Sequence, residues 1–213
     1  MNSSASEEYL QAIYTLADET GSAIAARLAE FLRVSPPAVS EMLHRLERDG
    51  LIVFDDHKVV HLTKDGRTAA ESIVRRHRLS ERFLVDILGY PWWQTHEEAE
   101  RIEHALTPEM EERLRRALGD PQACPHGNPM PGVAATPTRT LGSVAPGEDA
   151  TIERIPDQFE HEPGFLEYLD GEGMRPGVEL RMIERRDGRL RLRVAGEEHD
   201  VRSDCADKVL VRA

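Results

Sequence analysis

The chain has 213 residues, 39% hydrophobic and 31% charged, enough to bury a core in one large or two small domains. Its net charge of −12 excludes indiscriminate binding to nucleic acid or anionic membranes. Two cysteines, Cys124 and Cys205, are too few for a disulfide framework, and no apolar run approaches the length of a membrane span.

The opening MNSSASEEYLQ lacks the positive and apolar regions of a signal peptide, so the expected location is the cytoplasm, with no membrane partner. Tyr9, Leu10, Ile13, Tyr14 and Leu16 have helical spacing and predict a first helix. Ser22 is placed to cap a second, AIAARLAEFLR, whose Ile24, Leu28 and Leu32 repeat every fourth position. VSPP breaks it. Ser35 is then the N-cap of a third helix, PPAVSEMLHRLERDG, with prolines in its first turn. That helix is expected to bury Val39, Met42, Leu43 and Leu46 and to end at Gly50. LIVF and VVHL, joined by DDHK, predict a hairpin. Helix, tight turn, helix, hairpin is the order of a winged helix-turn-helix, expected over residues 1–66. Small αα-hairpins that never touch DNA share part of this pattern, but the wing and the turn chemistry favour DNA binding. Residues 1–70 hold seven Lys+Arg against eleven Asp+Glu, a balance of −4. DNA binding here therefore depends on a local patch and on added positive charge.

Residues 67–132 read as a helical domain. TKDGRTAAESIVRRHRLSERFLVDILG is one long amphipathic pattern with Ile73, Leu79, Phe83, Leu84, Ile87 and Leu88 as apolar members. TPEMEERLRRALG opens with Thr107 as N-cap and Pro108 at the first helical position, with Met110, Leu114 and Leu118 inside. So small a unit cannot bury all these faces alone, which predicts a homodimer suited to palindromic DNA. A Pro/Gly-rich segment follows, with a flexible linker at 133–140. From residue 141 to 213 short β-type runs dominate: ATIERI, VELRMIERR, RLRLRVAG and KVLVRA. VELRMIERRDGRLRLRV reads as a hairpin turning at Asp187-Gly188, and a small β-barrel is expected.

HEEAERIEH, residues 96–104, concentrates potential metal ligands. Residues three and four apart share a helix face, so His96, Glu100, Glu103 and His104 line one side. His77 and Glu81 lie one turn apart on the long helix, and Glu8 and Gln11 lie three apart on the first. Glu97, Glu98, Glu111 and Glu112 read as solvated surface. The H-E-x-x-H pattern of metalloproteases is absent, nothing pairs the carboxylates with a catalytic acid, and an enzyme is not expected.

EEYLQAIY, SPPAVSEMLHRLERDGLI, RRHRLSER, HEEAERIEHAL and GNPMPG occur in one order, and with them the whole chain resembles the DtxR/MntR family of metal-dependent transcriptional repressors. The resemblance implies a mainly α fold: an N-terminal winged helix-turn-helix, a helical metal-binding and dimerisation domain, and a C-terminal SH3-like (FeoA-like) β-barrel. It places a primary metal site at Glu8, Glu100, Glu103 and His104, with His77 as a further ligand. Gln11 departs from the manganese-type pattern of a carboxylate. An ancillary site is implied at Glu81, Cys124, His126 and Glu162, with His161 as a neighbouring candidate and His96 as the iron-type counterpart. The third domain either donates Glu162 or His161 to that site or acts as a regulatory interaction module.

Carboxylates at Glu8 and Glu100, where iron-type relatives carry sulfur, match the manganese branch, and hard oxygen ligands suit Mn²⁺. Fe²⁺ is the second candidate, and Zn²⁺, Co²⁺ or Cd²⁺ are expected to substitute in vitro. The implied function is metal-dependent repression of metal-uptake genes by a dimer on a double-stranded operator. Ser35, Pro37, Ala38 and Glu41 are expected to face the DNA groove, and Arg27, Ser40, Arg45, Arg48 and Lys58 to meet phosphates. Two alternatives stay open: an iron- or zinc-responsive repressor of this architecture, and a winged-helix regulator sensing a small organic ligand.

Overall fold

The computed structural model describes residues 4–186 and 188–213. Two compact units emerge: residues up to His77 with Glu100–Glu111, and Arg78–Ala99 with Glu112–Ala213.

In the first unit, α1 (Ser4–Thr20), α2 (Ala25–Leu32) and α3 (Pro36–Arg48) precede a hairpin of β1 (Ile52–Phe54) and β2 (Val60–Leu62). Leu10, Ile13, Leu28, Leu43, Leu46 and Ile52 are fully buried together, so each helix spends its apolar stripe on one core. Ser35 caps α3, its hydroxyl accepting from the Ala38 amide, with Pro36 and Pro37 in the first turn. Ser22 does not cap α2. Its N-cap is Ile24, without a side-chain bond, because Ala23 is drawn into a bridge with Val60 of the wing. The wing pairs antiparallel, Ile52 opposite Leu62 and Phe54 opposite Val60. Asp55 shapes its turn, accepting from the His57 and Val59 amides at 2.9 Å and facing His61 Nε2 at 3.0 Å.

The long helix α4 (Lys64–Asp86) starts against the residues that join α3 to β1. Thr63 donates to Gly50 O at 2.8 Å and accepts from the Gly66 amide at 3.1 Å. A Cβ on Gly66 would stand 1.8 Å from Leu51 O, a main-chain atom that cannot swing aside. Gly66→Ala is therefore expected to lower unfolding stability by about 1–3 kcal/mol or more, measured as an earlier denaturant midpoint. An unchanged midpoint would show that α4 does not seat this closely on Leu51.

The second unit takes α4 from Arg78 onward, the start of α5 (Thr95–Glu103), and α6 (Pro108–Ala117) from Glu112. Its sheet runs β3-β8-β4-β5-β6-β7, all pairings antiparallel. The strands are β3 (Arg139–Thr140), β4 (Asp149–Arg154), β5 (Glu179–Arg186), β6 (Arg189–Val194), β7 (Glu197–Arg202) and β8 (Leu210–Arg212). The expected β5–β6 hairpin forms, although Asp187 of its turn lies outside the described residues. Period-2 burial on β6 sends Leu190, Leu192 and Val194 inward and Arg189, Arg191 and Arg193 outward. Three short helices, α7 (Asp157–Glu160), α8 (Phe165–Gly171) and α9 (Cys205–Lys208), interrupt what the sequence suggests is β structure throughout. Trp92 joins this core beside Leu169 and Phe165, its Nε1 donating to Asp170 at 2.7 Å.

The apolar positions of α6 are not interior in the single chain: α6 buries no residue, and Met110 is 48% exposed. Ile87 and Leu88, after α4, are likewise exposed. Thr107 does cap α6, accepting from the Met110 amide at 3.2 Å. Glu111 departs from the expected solvated surface, pairing with Arg75 at 3.2 Å with its side chain 13% exposed.

Candidate metal centre and DNA-reading face

In the first unit α1, α4 and the end of α5 converge on His104. Its Nδ1 lies 2.8 Å from Glu7 Oε2, which leaves Nε2 facing Glu103 Oε1 at 3.5 Å and Glu8 Oε1 at 3.9 Å. A carboxylate on one ring nitrogen fixes the tautomer and turns the other lone pair toward the ligand position. Arg76 locks this arrangement by donating to Glu7 Oε1 at 3.2 Å and to the carbonyls of Glu103 and Leu106 at 3.3 Å. The buried Glu103 is bound from the other side by His77 Nδ1 at 2.5 Å. Glu100 stands three residues before Glu103 on α5, exposed, and Gln11 is half-buried on α1. Glu8, Glu103 and the Nε2 of His104 thus offer oxygen and nitrogen donors with no sulfur, a set that fits a hard or borderline divalent cation. Glu7 was missed by spacing, since neighbouring residues on a helix differ by about a quarter-turn.

The second unit holds another ligand group. Glu81, Cys124 and His126 each bring a ligand atom within 4.8 Å of the others, and so do Glu81, His96 and Glu160. His126 Nδ1 is 3.2 Å from both Glu81 Oε1 and Glu160 Oε1, and His96 Nδ1 is 3.3 Å from Glu160. Nε2 of His126 donates to Trp92 O at 2.9 Å, so Nδ1 is the atom presented to the carboxylates. Asn128 holds Glu160 from the side at 2.9 Å and donates to Ile155 O at 2.8 Å. Beneath them Arg78 pairs with Asp157 at 2.8 Å.

Two buried carboxylates in one place demand a cation or protons. Burial alone would lower His126, but Glu160 and Glu81 hold its pKa well above the usual imidazole value. Burial pushes Glu160 up, yet the His126 charge outweighs it and brings its pKa down to about 2. The Cys124 thiol is pushed up to about 12 by burial and by Glu81. A divalent cation would replace the proton on His126.

Glu162 does not join this group. Lys208 donates to both its carboxylate oxygens, at 2.7 and 2.6 Å, and the acid at the cluster is Glu160, where α7 ends. His161 sits edge-on to the His96 ring, centroids 4.2 Å apart. The loop 124–128 is pinned to β4: the Ile155 amide donates to His126 O at 2.9 Å. Gly127, at φ +87°, comes so close that a Cβ would lie 2.1 Å from Glu153 O. Gly127→Ala should lift this loop at a cost of roughly 1–3 kcal/mol and move the tryptophan emission through the His126–Trp92 bond. Unaltered emission would place the strain elsewhere.

On the reader, Ser35, Pro37, Ala38, Ser40, Glu41, Arg45 and Arg48 of α3 and its cap are exposed, as are Arg27 of α2 and Lys58 at the wing. Lys58 takes φ +62° at the turn between β1 and β2.

A winged helix-turn-helix joined to paired carboxylate–histidine groups defines a DNA-binding protein of the metal-responsive class. Residues 1–60 match the family "Iron dependent repressor, N-terminal DNA binding domain", 63–132 its "metal binding and dimerisation domain", and 139–213 the FeoA domain. The diphtheria toxin repressor of Corynebacterium diphtheriae is 36% identical, over 96% of this chain and 95% of its own. The solved structure of a manganese-dependent transcriptional repressor in complex with manganese is 36% identical with a TM-score of 0.86, covering 98% of this chain and 99% of that one. ScaR with bound Cd²⁺ is 32% identical with a TM-score of 0.79, over 97% and 98% of the two chains. The chain belongs to the iron-dependent repressor family, the metal-dependent transcriptional repressors. Members of this family regulate transcription and are not enzymes. Among the described residues no helix is long and apolar enough to cross a membrane.

Proposed function

We propose that this protein is a manganese-responsive repressor, acting in the cytoplasm as a homodimer on palindromic operator DNA upstream of metal-uptake genes. The observation that carries the metal assignment is the all-oxygen-and-nitrogen donor set of Glu8, Glu103 and His104, with Glu7 orienting the imidazole. Glu100 completes the primary set from the same face of α5, and His77 acts through Glu103. Bound there, the metal supplies positive charge among carboxylates that otherwise repel one another.

Glu8 lies on α1, which packs against α2 and α3 of the reader, and Glu103 and His104 lie at the end of α5. Holding α1 in place orders the reader, so metal favours the DNA-competent population through its higher affinity for that state. The exposed Ile87, Leu88 and Met110 supply apolar surface for pairing with a second copy. Ser35, Pro37, Ala38 and Glu41 enter the groove, and Arg27, Ser40, Arg45, Arg48 and Lys58 meet phosphates. Glu81, His96, Cys124, His126 and Glu160 form the ancillary site, with α7 as donor of Glu160.

The thiol of Cys124 favours a second reading, a zinc- or iron-responsive repressor, because sulfur suits softer ions. Anaerobic retention of sheared host DNA, with chelator, Mn²⁺ or Fe²⁺ at matched salt, separates the two. Retention with Mn²⁺ at concentrations where Fe²⁺ fails supports the manganese reading. Equal retention with both ions removes it and keeps metal dependence.

A further inference from the structure

The tip of the wing holds a lysine in a backbone conformation that lysine seldom adopts. Lys58 takes φ +62°, in the left-handed region where Gly, Asn and Asp are the usual occupants. Strain of this kind persists only where neighbouring groups over-determine it, and it gathers at functional positions.

Asp55 supplies that determination. Its main chain closes the turn from both sides, the Asp55 amide donating to Val59 O at 3.1 Å and the Lys58 amide donating to Asp55 O at 3.0 Å. Its Oδ1 accepts from the two amides that flank Lys58, those of His57 and Val59, each at 2.9 Å. Its Oδ2 faces Nε2 of His61 on β2 at 3.0 Å. Both carboxylate oxygens are thus engaged within the wing, while Lys58 is exposed. Below the tip the ribbon is fixed by other means. Ile52 and Val60 are buried, and the Val60 amide donates to Ala23 O at 2.8 Å. The shape of the tip therefore rests on the Asp55 side chain.

The charges at the tip sharpen the point. Asp55 and Asp56 outnumber Lys58 there, in a reader whose residues 1–70 already stand at −4. A carboxylate beside DNA repels phosphate. An acid engaged by two amides and an imidazole repels it less, and a lysine set by that acid meets phosphate as a point charge.

We propose that Asp55 is a positioning residue for DNA binding: it holds Lys58 in the left-handed turn that presents the ammonium to a backbone phosphate, so that an acid at the wing tip raises affinity for duplex DNA. This rests on Lys58 as a phosphate contact, and the test separates the two claims.

Fluorescence anisotropy on a retained duplex, in saturating Mn²⁺ and across a salt series, reads affinity and salt slope together. Lys58→Ala is expected to lower the slope by about one per wing. Asp55→Ala should weaken binding and lower the slope by the same amount, although it removes a negative charge. Asp55→Asn keeps an oxygen that can accept from both amides and should retain the wild-type slope. Asp56→Asn removes the exposed neighbouring charge and should tighten binding. In the Lys58→Ala background, Asp55→Ala should have no further effect, whereas a purely structural role would lower affinity again. If Lys58→Ala lowers the slope and Asp55→Ala leaves it unchanged or tightens binding, the proposal is overturned and the phosphate contact stands. An unchanged slope in Lys58→Ala removes Lys58 from the interface and the proposal with it.

Discussion

Glu103→Gln and His104→Ala are expected to leave a folded protein whose affinity for duplex DNA no longer responds to Mn²⁺. Family-scale coupling between an effector and a second ligand amounts to about 1–3 kcal/mol, or about 5–150-fold in affinity. Either substitution should reduce that gain to less than about twofold, because each removes a donor that faces the same point. Glu103 is nearly fully buried and is shared between His77 and His104, so glutamine keeps its volume while removing its charge. Glu7→Gln supplies the control for positioning. It replaces the charged acceptor on Nδ1 of His104 with a neutral amide without removing a donor, so it should weaken metal affinity about 10–100-fold and yet permit full DNA binding once metal is saturating. Fluorescence anisotropy on a retained duplex, with and without chelator, reads all three. A metal response of wild-type size in both Glu103→Gln and His104→Ala would remove this group as the switch.

The second large effect separates two acids two residues apart. Glu160→Gln is expected to lower the affinity of the ancillary group for Zn²⁺ or Mn²⁺ by at least about 10–100-fold, read as one ion fewer per chain after equilibrium dialysis. Glu160 meets His126 and His96 inside the second unit, and its neutralisation leaves Glu81 as the one charged carboxylate within 3.2 Å of His126 among the described residues. Glu162→Gln removes only a partly exposed pair with Lys208, worth about 0–1 kcal/mol, and should leave ion stoichiometry intact. The reverse ranking would return Glu162 to the site.

Much of the reader was legible because its punctuation is local. Ser35 with two prolines can do little but cap and start a helix, and α3 begins there. The period of α4 is likewise carried by its own residues. Ser22 misled because the competing partner of its neighbour Ala23 is Val60, almost forty residues away, and a cap rule cannot see it. The helices α7 and α8 were missed because their apolar residues, Phe159 and then Phe165, Leu166 and Leu169, are too few for a 3.6-residue period to stand out on either side of Pro163-Gly164. The resemblance pointed to Glu162, whereas the turn of α7 brings Glu160 to the ligand group.

At the candidate centre, His77, Glu103 and His104 were readable from helical spacing and meet in the structure. Glu7 was not, because adjacent helix positions are separated only by where α1 packs. Cys124 and His126 were visible as a pair, but Asn128 and Trp92, which orient that group, act through main-chain and amide bonds that leave no ligand-like signature. The positions of Met110, Ile87 and Leu88 show the limit of apolar patterning. It identifies residues that seek burial without saying whether the same chain supplies the cover.

The measurement that bears most directly on metal-switched DNA binding is the dissociation constant for one retained duplex as free Mn²⁺ is raised from chelated to saturating at constant salt. Affinity should rise by about 5–150-fold and fall back when chelator is restored. A dissociation constant that stays the same across that titration would contradict metal control and make the carboxylates around His104 a structural group only.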